Sequence, residues 1–134
     1  MRLCGQQAVW NYEEENGLLT SQGVGAMEDY TEPEQVPWNS LMQEIKVVVI
    51  RDGITTVGDY AFAGCSNLQE VTLPGSVEIV GVFSSKGCTG LRALVIPDGV
   101  GVLASTAFQF SSALKQVYLP STLIDLAILA FEKS

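Results

Sequence analysis

Leu68, Leu91 and Leu114 stand 23 residues apart, and one further step back reaches Ile45. A chain that returns to the same chemistry at a fixed interval folds by stacking equivalent units, because no unit of this size can hide its own apolar side chains. Four units follow, 45–67, 68–90, 91–113 and 114–134. Three residues after each leader stand Val48, Val71, Leu94 and Val117, and five after it stand Ile50, Leu73, Ile96 and Leu119. Alternation of this kind over a β-branched stretch reads as a strand with one face buried.

Pro74, Pro97 and Pro120 close three of the four strands, since proline removes a ladder donor and fixes φ. Asp52-Gly53, Gly75-Ser76 and Asp98-Gly99 supply turn residues at the same place. Two more apolar columns follow, Ile54/Val77/Val100/Leu123 and Val57/Val80/Leu103/Leu126, and then an Ala-Phe pair as Ala61-Phe62, Ala107-Phe108 and Ala130-Phe131. This stretch reads as a short helix or irregular turn at the back of each coil. The fold class expected is therefore α/β, a short solenoid of about four 23-residue coils at about 4.8 Å per rung sharing one core. The second unit departs from the pattern with Ser84-Ser85, and Phe83 is the side chain expected to swing into the volume this leaves.

Residues 1–44 do not repeat, and they hold eight acids against Arg2 alone. Units 45–134 hold seven acids and six bases, so nearly all of the net charge of −8 lies in front of the repeats. A surface this poor in Lys and Arg neutralises few phosphates, which argues against nucleic acid and anionic membrane. Ala8 to Tyr12 and Leu18 to Gln22, joined through Glu13-Glu14-Glu15-Asn16-Gly17, read as a β-hairpin. It can cover the strand edge that Val47-Val48-Val49-Ile50 would otherwise expose. Residues 28–40, with Pro33 and Pro37, read as the loop between this N-terminal cap and the coils.

The phrases ITTVGDYAFAGCSNLQEVTLP and LRALVIPDGVGVLASTAFQFSSALKQVYLP resemble the BspA-like leucine-rich repeats of bacterial surface proteins across 45–134. The segment that often precedes such repeats is similar to this chain at Cys4-Gly5, Trp10, Gly17-Leu18-Leu19-Thr20, Gly23-Val24-Gly25-Ala26-Met27 and Pro37-Trp38, with departures at Ser21 and Gln22. The resemblance implies a curved leucine-rich-repeat solenoid with a sheet on one face, secreted or attached to a cell surface, often in adhesion or protein binding. It implies no shared ligand.

Histidine is absent, which removes Ser-His-Asp and Cys-His catalysis and the commonest zinc ligand. No enzyme, cofactor or metal site is expected. Cys65 and Cys88 share one column and read as core side chains rather than half a metal site or a disulfide. Ser112 and Lys115 fit an S-x-x-K pattern, but Leu114 opens a strand where that chemistry needs a helix. Gly23-Val24-Gly25 lacks the third glycine of a dinucleotide fingerprint, and the acids Glu28, Asp29, Glu32 and Glu34 lack calcium-loop spacing.

On alternation, Val47, Glu70, Ala93 and Gln116 form one outward column of the strand face, and Val49, Thr72, Val95 and Tyr118 another. With Arg92 beside them, Val49, Glu70, Thr72, Val95, Gln116 and Tyr118 are the candidate contact residues for a protein or glycan partner. The alternative is that these ladder residues serve the sheet alone or lie under the N-terminal segment. A non-catalytic interaction module is the first functional reading, and an architectural spacer or oligomerisation unit the second. The last coil shows no cover of its own, so either chains pack end to end through that coil as a homo-oligomer, which is the favoured expectation, or the chain is shorter than the natural assembly.

Overall fold

The computed structural model describes residues 2–104 and 106–120 and the backbone of 125–126. Among the described residues eleven strands run in chain order: β1 (Ala8–Glu13), β2 (Leu18–Gly23), β3 (Gly25–Ala26), β4 (Val47–Ile50), β5 (Ile54–Val57), β6 (Glu70–Thr72), β7 (Ile79–Val80), β8 (Ala93–Val95), β9 (Val102–Leu103), β10 (Gln116–Tyr118) and β11 (Asp125–Leu126). Each coil places one strand in a front sheet and another, shorter in every coil but the first, in a second sheet. The front strands order as β1-β2-β4-β6 with β8-β10 as a separate pair, and the second sheet runs β3-β5-β7-β9-β11. Parallel registers carry the period directly: Val48 faces Val71, Leu94 faces Val117, and Ile79 faces Val102.

The apolar columns are the core. Ile45, Leu68 and Leu91 are fully buried, as are Ile54, Val77 and Val100, and Val57, Val80 and Leu103 close the row. Leu119, expected to face inward with Ile50 and Ile96, is instead 46% exposed. It follows β10, the edge strand of its sheet, so no further rung among the described residues covers it. Leu123, Ala130-Phe131, the Leu126 side chain and the proposed free end of the fourth coil lie outside the described residues.

The α component of the expected class is corrected by the structure. Among the described residues the only helical elements are two single 3-10 turns, Pro33–Gln35 and Asn39–Leu41, and the backs of the coils are turns. These turns carry their own rung-to-rung ladder. The amides of Tyr60, Phe62 and Gly64 donate to the carbonyls of Val82, Ser84 and Lys86, and those of Ser85 and Gly87 to Ala107 and Gln109. A helix bonds along its own axis, whereas here the third side must bond between coils, and that requires left-handed residues in each turn. They recur with the period as Tyr60, Phe83 and Thr106, and again as Gly64, Gly87 and Phe110. At the second of these columns glycine is the unstrained choice, and the third coil places a 42%-exposed phenylalanine there.

Phe83 therefore does not fill the core of the second coil. Its left-handed backbone turns it outward beside Tyr60, ring centroids 5.0 Å apart, with the Lys86 ammonium 4.8 Å over its ring. Ser84 and Ser85 themselves are buried in the Ala-Phe columns, the Ser84 hydroxyl without a hydrogen-bond partner.

The N-terminal segment does more than lie across an edge. β1 and β2 form the antiparallel hairpin, and β2 then runs parallel to β4, with Leu19 facing Val48 and Ser21 facing Ile50. β3 pairs with β5, so residues 18–27 trace a rung of their own, offset by 29 rather than 23 residues at Leu19 and Val48. Trp38 supplies that rung's aromatic: it stacks on Phe62 at 5.4 Å and 18°, and its Nε1–H donates to the Ala61 carbonyl at 2.8 Å. The period was legible here, since Trp38 stands 23 residues before Ala61. Its indole differs too much from the alanine and phenylalanine it precedes to stand out in a column.

Candidate functional site

Strand alternation puts Leu19, Val48 and Leu94 inward and leaves a continuous outward face. On it Val47 and Val49 are half-buried, while Glu70, Thr72, Arg92, Ala93, Val95, Gln116 and Tyr118 are exposed. Register joins Val49 to Thr72, Val95 to Tyr118, Val47 to Glu70 and Ala93 to Gln116. The columns extend into the hairpin through Leu18 beside Val47 and Thr20 beside Val49. The hairpin thus continues the sheet sideways and does not cover it. Val95 and Tyr118, 58% and 57% exposed, form the most open apolar pair of the face.

Halfway along this face the ladder stops. The Gln69 amide donates to the Lys46 carbonyl at 2.8 Å and the Lys115 amide to the Arg92 carbonyl at 2.9 Å, but the equivalent bond from Arg92 to Gln69 is not formed. β6 and β8 lie next to each other unpaired, while behind them β7 and β9 remain bonded and the turn ladder is closed at 2.7 Å from Ser85 to Ala107. The opening is a front-face groove of about 580 Å³ whose walls include Gln69, Glu70, Thr72, Arg92 and Val95. Four of the residues singled out by alternation, Glu70, Thr72, Arg92 and Val95, converge on it. Val49, Gln116 and Tyr118 flank it on the same face. The groove opens beside the described coil that carries Ser84-Ser85 in place of Ala-Phe. Nothing in the strand phrases themselves marks it.

Cys65 and Cys88 stack one coil apart, fully buried and unbridged, inside the core cluster. Burial pushes both thiols up, Cys88 to about 12, so neither is poised as a nucleophile or a metal ligand. Their column continues to Ser111. The Cys88 Sγ donates to the Phe62 carbonyl at 3.3 Å, and the Ser111 hydroxyl makes the same bond to the Ser85 carbonyl at 3.1 Å. The column holds a small buried donor that satisfies a carbonyl of the coil before it, a demand on polarity that reading Cys65 and Cys88 as small hydrophobes misses.

A second such device is built from acids. Asp29 Oδ1 accepts the Asp59 amide at 3.0 Å, and Asp59 Oδ1 accepts the Val82 amide at 2.8 Å. Burial raises the Asp59 carboxyl above its ordinary range, the Val82 amide opposes this, and the Asp29 charge adds to it. These carboxylates tie coil to coil. Among the described residues no group of three or more His, Cys, Asp or Glu side chains could hold a metal ion. Ser112 lies in a turn and Lys115 just before β10, with no helix to bring them together. Gly23 and Gly25 end β2 and open β3, where the Gly25 amide donates to Gly53 at 2.8 Å. Among the described residues no helix is long and apolar enough to cross a membrane.

The fold is shared with solved bacterial proteins. A leucine-rich repeat protein from Eubacterium ventriosum superposes with a TM-score of 0.73 at 22% identity over 92% of this chain and 38% of its own. A leucine rich cell surface protein from Faecalibacterium prausnitzii gives 0.74 at 17% identity over 97% of this chain and 36% of its own. The pneumococcal vaccine antigen PcpA gives 0.62 at 18% identity over 90% and 29%. The chain thus spans between 29% and 38% of the length of these structures. No curated protein matches the sequence. The family model described as BspA type leucine rich repeat region (6 copies) matches residues 40–134, well over half of the chain. With coils stacked in register at the period of 23, this chain belongs to the BspA-type leucine-rich-repeat family.

Proposed function

We propose that the chain is a non-catalytic interaction module of a bacterial surface or secreted protein, and that its front face holds a protein partner through the open stretch from Glu70 to Tyr118. The observation that carries this reading is the exposed pair Val95 and Tyr118 standing beside an unpaired, polar-rimmed groove. Sheet cohesion alone does not call for apolar side chains at that exposure, and an exposed tyrosine paired with valine is of the kind that anchors interfaces. Shallow relief suits a macromolecule better than a small substrate. The surface-protein description of one similar structure supports the location.

The experiment is a binding screen of the chain against extracellular matrix proteins and glycans, repeated with a Val95→Glu/Tyr118→Ala variant. Both side chains are exposed, so the variant keeps its fold. The reading expects a protein ligand whose affinity drops at least about ten-fold in the variant. Binding indifferent to the variant, or repeated silence, overturns it. The second reading, an architectural spacer, draws on the unbroken second sheet and turn ladder, and silence together with self-association in solution would favour it.

A further inference from the structure

β1 has no coil beneath it. It lies one strand beyond β2, so Trp10 and Tyr12, which pair with inward-facing Ser21 and Leu19, point past the end of the stack. They meet the 38–44 segment instead. Buried Trp38 packs edge-on against Trp10 at 5.4 Å and 70° and is itself held by its bond to Ala61 and its stack on Phe62, so the Trp10 ring sits on a rigid support. The Tyr12 hydroxyl donates to the Glu44 carbonyl at 3.4 Å. Between these groups lies a hollow of about 440 Å³, bounded by Arg2, Trp10, Tyr12, Glu14, Leu41 and Glu44.

One of its walls is itself a cation standing on the indole. The Arg2 guanidinium lies 4.9 Å from the Trp10 ring centroid, and the Arg2 carbonyl accepts the Trp10 amide at 2.9 Å. A cation on an indole face, in a hollow also lined by Tyr12, Glu14 and Glu44, is the chemistry of cation recognition, and a flat, weakly hydrated guanidinium suits an indole face better than an ammonium does. The Tyr12 phenol is raised by burial and by the charges of Glu44 and Glu14, which places both carboxylates within electrostatic reach of the hollow. Residues 1–44 carry eight acids, which favours the approach of a basic partner.

We propose that this hollow, on the end of the solenoid and separate from the front face, binds the guanidinium of an arginine side chain presented by a partner polypeptide, and that this arginine takes the place of Arg2 on the Trp10 ring. The chain has two tryptophans, so two indole N–H resonances report on it: Trp10 at the hollow and Trp38 in the core. Titration of the full chain with acetyl-arginine amide should shift the Trp10 signal saturably and leave Trp38 nearly still. Arg2→Ala should lower the midpoint about five-fold by removing the competitor. Adding Glu14→Gln and Glu44→Gln to that variant should raise it about ten-fold and flatten its salt dependence. Unchanged backbone amide spectra elsewhere establish that each variant is folded. A vacated hollow that gives no saturable Trp10 shift, equal midpoints with and without Arg2, or indifference to the two carboxylates would each overturn the proposal.

Discussion

The first and second coils, 45–67 and 68–90, carry the same apolar columns but differ at the coil back and in how their front strands pair. The first carries Ala61-Phe62, and its front strand pairs on both sides, with β2 and with β6. The second carries Ser84-Ser85, and its front strand pairs on one side only. The back of the second coil is held by turn-to-turn hydrogen bonds and by the Ser111 hydroxyl of the next coil rather than by a phenyl ring. The solenoid thus tolerates loss of a core aromatic where the backbone ladder of the turn survives, and the front face opens between this coil and the next, which retains Ala107-Phe108.

Removing the aromatic from the first coil breaks the contrast most severely. Phe62→Ala should cost about 3–5 kcal/mol in denaturant unfolding, because the ring is buried beneath Trp38. A loss under about 1 kcal/mol would mean that the aromatic column carries little of the core. The buried donor column comes next. Ser111→Ala should cost about 1–3 kcal/mol by orphaning the Ser85 carbonyl, and Cys88→Ser, which keeps a donor toward Phe62, should cost less than Cys88→Val. The reverse order would make shape, not hydrogen bonding, the reason for that column.

In the second coil the expected sign changes. Ser84→Ala should stabilise by about 1 kcal/mol, since it deletes a buried hydroxyl with no partner and matches Ala61 and Ala107. A destabilised variant would show that the hydroxyl is satisfied in solution. The smallest effect is one of pH. Asp59 titrates higher in the folded chain than in the unfolded one, so the folded state binds the extra proton, and stability falls as pH rises through its folded range. Asp59→Asn, which keeps an acceptor for the Val82 amide, should flatten unfolding free energies measured from pH 4 upward. An unchanged slope would place the linkage on another group.

Much of the architecture was legible because side-chain burial is a column property. Ile45, Leu68 and Leu91, or Val48 and Leu94, recur at one interval, and any fold that buries them together must stack the units. The outward columns follow from the same alternation, which is enough to put Glu70, Thr72, Val95 and Tyr118 on one face. Helix or turn at the coil back could not be decided that way. Both bury an Ala-Phe pair, and the choice rests on whether amides bond within a coil or between coils. Phe83 takes its place in that turn, beside Tyr60 and outside the core cluster, where composition alone would send it inward.

By itself, then, the sequence determined the period, the apolar columns, the strand face and the hairpin, all of which depend on which residues are apolar and how often they return. Tertiary structure alone decided the gap between β6 and β8, the donor role shared by Cys88 and Ser111, and the hollow that joins Arg2, Trp10 and Glu44. Each of these depends on partners brought together only by folding, on a hydrogen bond made or missed across coils or a ring supported from another segment. Such partners follow no period, because it is the accumulated geometry of neighbouring coils that sets the distance between them.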